Sequence, residues 1–62
     1  SGATALMTAA SYGCYDAASF LLEHGADPAS VNNQGKSAAG IARENRYDDI
    51  AGLIEKWEKG AR

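Results

Sequence analysis

The sequence predicts an all-α solenoid of two helix–turn–helix units joined by a hairpin-like turn. Three observations carry that prediction. The chain repeats itself at a spacing of 33 residues: Gly2 pairs with Gly35, Ala5 with Ala38, Ala9 with Ala42, Asp16 with Asp49 and Ala18 with Ala51. A fixed period of about 20–50 residues marks a stacked array, in which each unit buries its apolar face against a neighbour. Within each period, apolar residues recur at helical spacing. Between these stretches lie glycines and a segment rich in Asp, Pro, Asn and Gly, the chemistry of turns.

Residues 4–12 read as a short helix, with Thr4 as its expected N-cap and Leu6, Ala9 and Ala10 at helical spacing. Gly13 is expected to end it in the left-handed conformation that glycine tolerates best. Residues 15–24 form a second helix. Ala17, Ala18, Leu21 and Leu22 mark one face, and Asp16 lies in the first turn, where the helix dipole favours an acid. Gly25 is the expected glycine just past its end. Pro28 and the run Asn32-Asn33-Gln34-Gly35 forbid the helix from continuing.

The plan then restarts. Ser37 is expected to cap a helix over 38–45. A longer helix follows over 48–59, with Asp48 near its start and Gly60 after it. In it Ile50, Leu53, Ile54 and Trp57 recur at i, i+3, i+4 and i+7. Alanine fills most core positions of the first helix in each unit. Small side chains let short helices approach closely, and packing must hold helices too short to stand alone in water. The expected division is one unit over 1–34 and a second, capping-like unit over 35–62.

A chain of 62 residues makes at most one small domain. At that size only about 60% of the unfolded surface is buried, so the fold is marginal alone. Cys14 is the only cysteine, so there is no disulfide framework. One free thiol points to a reducing, intracellular setting, cytoplasmic or nuclear. The net charge of −2 argues against nucleic acid as a partner, which would need a basic stripe. No apolar run approaches the roughly 20 residues that cross a bilayer, so no membrane partner is expected.

Few residues invite a catalytic reading. Cys14 and His24 are the only candidate nucleophile and base. They flank the second helix, and about ten residues at ~1.5 Å each separate them by ~15 Å, far beyond hydrogen-bond reach. Turn-filling for Cys14 and a helix-end role for His24 are the better readings. No second Cys or His supplies metal-ligand spacing, so neither metal nor cofactor is expected. Asp48 and Asp49 read as capping and dipole-stabilising residues at a helix start, since adjacent helix positions point about 100° apart. The run over 32–35 could cradle an anion, but a hairpin at the junction between units is the stronger reading. Tyr47 and Trp57 read as packing residues. Tyr12, just before a turn, has the large apolar face and polar tip of an interface anchor.

In register, the residues resemble ankyrin repeats. The first unit matches that pattern at Gly2, Thr4, Leu6, Ala9, Ala10, Gly13, Leu21, Leu22, Gly25, Ala26 and Asp27. The second matches at Gly35, Ala42, Ile50, Leu53 and Ile54. Ala5 and Met7 depart from the family's Thr-Pro-Leu-His motif, and Ala39 and Gly40 replace its Leu and His. Losing a proline-fixed helix start, with glycines at 40 and 52 inside helices, implies lower stability; each glycine costs about 1 kcal/mol against alanine.

The resemblance implies a non-catalytic protein–protein interaction module. Such modules bind through the hairpin tips and the exposed side of the first helices. On this chain that surface is Ala3, Ser11, Tyr12, Val31, Asn33, Gln34, Lys36, Glu44 and Asn45. Arg43 and Glu55 stand where Ala10 and Leu22 stand one unit earlier. Polar residues there are expected of a terminal, capping unit, so the chain reads as the C-terminal end of an array. Leu6, Ala10, Leu21 and Leu22 are expected to form an uncapped apolar front. A capping or self-associating unit is the alternative function, with self-association through that front.

Overall fold

A computed structural model describes residues 2–60, with side chains from Thr4 onward; Ser1, Ala61 and Arg62 lie outside the described residues. Four helices follow in order: α1 (Gly2–Tyr12), α2 (Tyr15–Glu23), α3 (Ala38–Glu44) and α4 (Asp48–Glu58). Among the described residues the chain is all-α apart from one isolated antiparallel bridge, Val31 to Ser37, in the connection between α2 and α3. Helices α1 and α2 pair, as do α3 and α4. Across the pairs, α1 lies on α3 and α2 on α4, which makes two layers of two helices.

Turn chemistry sets the helix boundaries. Past α2, Gly25 adopts φ 97°. Its amide donates to the Leu22 carbonyl at 3.2 Å, and the Ala26 amide to that of Leu21 at 2.9 Å. Two otherwise orphaned carbonyls are satisfied in this way. Gly13, φ 74°, makes the same kind of end for α1, where the Cys14 amide donates to the Ala9 carbonyl at 3.0 Å. After α3 the same bonds form without glycine: Arg46 sits at φ 66°, its amide donating to Arg43 at 3.1 Å and that of Tyr47 to Ala42 at 2.8 Å. A side chain in that region costs about 1–2 kcal/mol. Arg46→Gly is therefore expected to stabilise the chain by about 1 kcal/mol, less the glycine's extra unfolded-state entropy. A rise in the urea midpoint checks it.

One start differs from expectation. Thr4 does not begin α1: the helix starts at Gly2, and the Thr4 carbonyl accepts the Thr8 hydroxyl at 3.1 Å from within it. Ser37 does cap α3, its Oγ accepting from the Gly40 amide at 3.2 Å. At α4 no side chain caps through residue 47, but Asp48 and Asp49 lie in the first turn and the Asp49 carboxylate accepts from the Ile50 amide at 2.8 Å.

The core is mostly alanine, with Leu6, Leu22, Ile50 and Ile54 as its large, fully buried side chains. Burying each large one contributes about 1.5–3 kcal/mol, and the alanines contribute mainly by letting helices approach. Positions 33 residues apart show which face meets which. Ala10 and Leu22 are buried, while their counterparts Arg43 and Glu55 reach solvent; this face of the first pair is closed by the second. The converse holds at Ala5 and Ala17, which are exposed, while Ala38 and Ile50 are each 1% exposed. Leu6 and its counterpart Ala39 are both buried, between the layers. The open front is thus Ala5, Ala17 and Phe20, with half-buried Leu21 at its edge. Leu6, Ala10 and Leu22 do not belong to it: the second pair covers Ala10 and Leu22, and Leu6 lies between the layers.

Candidate protein-binding surface

The surface begins at the junction between the helix pairs. Asn32 builds it from both backbone and side chain. Its amide donates to the Lys36 carbonyl at 2.9 Å, and its carbonyl accepts from Gly35 at 2.9 Å. Its side-chain Oδ1 accepts from the Gln34 amide at 2.8 Å and the Lys36 amide at 3.0 Å. The amides that could have cradled an anion are thereby engaged by the chain's own carboxamide, and the segment is a hairpin. Asn32→Ala removes both side-chain bonds and is expected to cost about 1–2 kcal/mol. A lowered urea midpoint with unchanged helical circular dichroism below the transition is the measurable sign.

The hairpin presents Val31, 56% exposed, together with exposed Asn33 and Gln34. Lys36 leaves the hairpin and meets Glu44 on α3, Nζ to Oε2 at 2.9 Å. Both side chains are about half exposed, so the pair adds at most about 1 kcal/mol. It ties the tip to the end of α3. Asn45 follows as the cap residue of α3, and its Nδ2 donates back to the Ile41 carbonyl at 2.8 Å. That donor serves the helix end.

Ser11 and Tyr12 close α1 at the positions that Glu44 and Asn45 occupy one unit later, and both are exposed. Because α1 packs on α3, the two helix ends lie side by side in one layer. Tyr12 is 75% exposed, the most open large apolar side chain described. Ala3 is the second residue of α1, and its side chain lies outside the described residues. The structure therefore joins Lys36 and Glu44 directly and groups Val31, Asn33 and Gln34 on one tip. It sets Ser11 and Tyr12 on the neighbouring helix end.

The other singled-out residues serve the framework. Cys14 and His24 lie at opposite ends of α2. His24 stacks on Phe20, ring centroids 4.2 Å apart. Tyr47 and Trp57 are half-buried against the core. Tyr47 also lies over Gly13: a Cβ built on that glycine would stand 2.8 Å from the ring. On the far face of the second pair, Arg43 and Glu55 form an ion pair. The carboxylate's hydrogen bond, and then its charge, holds the arginine above its ordinary pKa. Among the described residues no group of three or more His, Cys, Asp or Glu side chains is placed to hold a metal ion.

Sequence reasoning missed two residues here. The role of Asn32 was masked by three other polar residues in the same turn. Phe20, 59% exposed on the open front, stands in the repeat where Leu53 is half-buried.

Stacked helix pairs joined by a hairpin, with an exposed strip along one set of helix ends, define a helical-repeat protein. The family model described as ankyrin repeats (3 copies) matches residues 1–62, and the chain belongs to the ankyrin-repeat family. Ankyrin repeats are in general protein–protein interaction modules and typically non-catalytic. No solved structure matches the chain. Among the described residues no helix is long and apolar enough to cross a membrane.

Proposed function

We propose that this chain is a non-catalytic, intracellular protein-binding module that acts through Ser11, Tyr12, Val31, Asn33, Gln34, Lys36, Glu44 and Asn45, with Ala3 at the edge. The observation that carries the reading is Tyr12. It is a 75% exposed aromatic at the end of α1, in one layer with α3, whose own end Lys36 and Glu44 tie to a tip held by Asn32. A preformed surface meets much of the ordering cost of binding in advance, and an exposed tyrosine is well suited to anchor it. The strip pairs one cation with one acid and is otherwise neutral, so a partner surface of mixed, weakly charged character fits it.

The Arg43–Glu55 pair and Arg46 place charge where the first unit carries Ala10, Leu22 and Gly13. Covering that face with another unit would desolvate both charges. This supports the second unit as the C-terminal cap of an array. A second reading is self-association, favoured by the open front at Ala5, Ala17 and Phe20. Sedimentation separates the two readings: a dimer at micromolar concentration supports self-association, and a stable monomer removes it.

The binding reading is tested by the double variant Tyr12→Ala/Asn33→Ala. Both side chains are exposed, so helical content and melting are expected to stay close to those of the parent. Partner affinity is expected to fall at least about tenfold, the effect of losing about 1.4 kcal/mol. Unchanged affinity would show that the surface is wrongly assigned.

A further inference from the structure

A groove of about 490 Å³ lies on the layer opposite the binding strip, between the end of α2, the loop after it and the last turn of α4. Leu22, Ala26, Pro28 and Trp57 give it apolar walls, and Glu23 and Asp27 bring two carboxylates to it. We propose that this groove receives a lysine or arginine side chain of a partner polypeptide, with its aliphatic stem along the apolar wall and its charge between the carboxylates and the indole face.

Charge, helix polarity, the indole and the apolar wall converge on that ligand. Glu23 and Asp27 are both exposed acids, and no cationic residue lines the groove. Asp27 has one oxygen turned to its own loop, accepting from the Ala29 amide at 2.9 Å, which orients the carboxylate without neutralising it. The groove sits at the C-terminal end of α2, where the helix dipole is negative; no Lys or Arg occupies that last turn, and the cap residue His24 turns its ring onto Phe20 and does not line the groove. Trp57, half-buried against the core, lines the groove with the side chain whose ring attracts cations most strongly. Lys56 and Lys59 neighbour Trp57 in sequence but do not line the groove. The apolar wall suits the stem that lysine and arginine bury while their heads reach charge. An acidic partner meets the two carboxylates as like charges, and a purely apolar one leaves them without a counter-charge.

Trp57 is the only tryptophan, so its fluorescence reports on the groove directly. The whole chain is titrated with a short capped Gly-Lys-Gly or Gly-Arg-Gly peptide, and with norleucine and citrulline counterparts that keep the stem and drop the charge. Millimolar binding is the expected scale for one side chain, so a saturable change below about 10 mM is predicted for the cationic peptides. Glu23→Gln/Asp27→Asn keeps the loop hydrogen bond and should weaken this binding at least about tenfold. Asp48→Asn/Asp49→Asn removes the same charge elsewhere and should leave it within about twofold. Absence of a saturable change, equal binding of the uncharged peptides, or equal loss in both acid variants would each overturn the proposal. Tyr12→Ala should leave the titration unaltered, so failure of the strip and failure of the groove are told apart.

Discussion

Gly13→Ala is expected to destabilise the chain by about 2–4 kcal/mol, a large share of what a domain this small can hold. Two costs combine at this one position. The backbone stands at φ 74°, where a Cβ costs about 1–2 kcal/mol. The new Cβ would also stand 2.8 Å from the Tyr47 ring, closer than packed carbons come. Relief requires the Tyr47 ring, half-buried against the core, to move away. Gly25 shares the backbone conformation but has nothing within 4 Å of a built Cβ, so Gly25→Ala is expected to cost only the first of these. Measured in a Tyr47→Ala background, Gly13→Ala should lose its steric share and cost about 1–2 kcal/mol. Urea denaturation of the four chains completes the cycle. Equal costs in both backgrounds would mean that the Tyr47 ring does not oppose a side chain at position 13.

Ala10→Arg is expected to have the largest effect of any change discussed, above about 4 kcal/mol, enough to leave the chain unfolded. Ala10 is fully buried in α1 where the second helix pair closes over it. A guanidinium there has neither water nor a carboxylate partner. The chain itself supplies the control, since Arg43 occupies the same place in the repeat one unit later and is exposed beside Glu55. Arg43→Ala should leave the urea midpoint close to that of the parent, because an exposed ion pair contributes little and alanine favours the helix. Circular dichroism at the two positions measures the difference in environment. Similar effects would contradict the assignment of faces.

Much of this fold is legible in the sequence, because its strongest signals are local. Gly13 and Gly25 end helices through backbone geometry, Ser37 caps α3 through a side chain three residues from its partner, and the amphipathic stripe of α4 needs no tertiary knowledge. Two readings failed where the information was not local. Thr4 has the chemistry of a cap, but Gly2 and Ala3 continue the helix upstream, and a threonine inside a first turn looks the same in sequence. The apolar pattern alone puts Leu6, Ala10 and Leu22 on an open front, where the structure buries them. Helical periodicity shows that a face is apolar, and only the packing of the second pair shows which of two apolar faces is covered. The comparison of positions 33 residues apart resolves this once burial is known. The candidate strip was legible as a set of positions. The bonds that shape it, from Asn32 and between Lys36 and Glu44, depend on a hairpin whose register the sequence does not fix.

The central claim is that the tip and the neighbouring helix ends, and not the opposite layer, meet the principal partner. A photo-crosslinking phenylalanine derivative placed at position 12, 34 or 52 tests it directly. Position 52 is a control on α4, where a Cβ on Gly52 meets nothing within 4 Å, so the probe fits without disturbing the fold. Irradiation in cells expressing each variant is predicted to give a discrete adduct of the same mass from positions 12 and 34, and none from position 52. An adduct from position 52 alone, or equal yields from all three, would contradict the account.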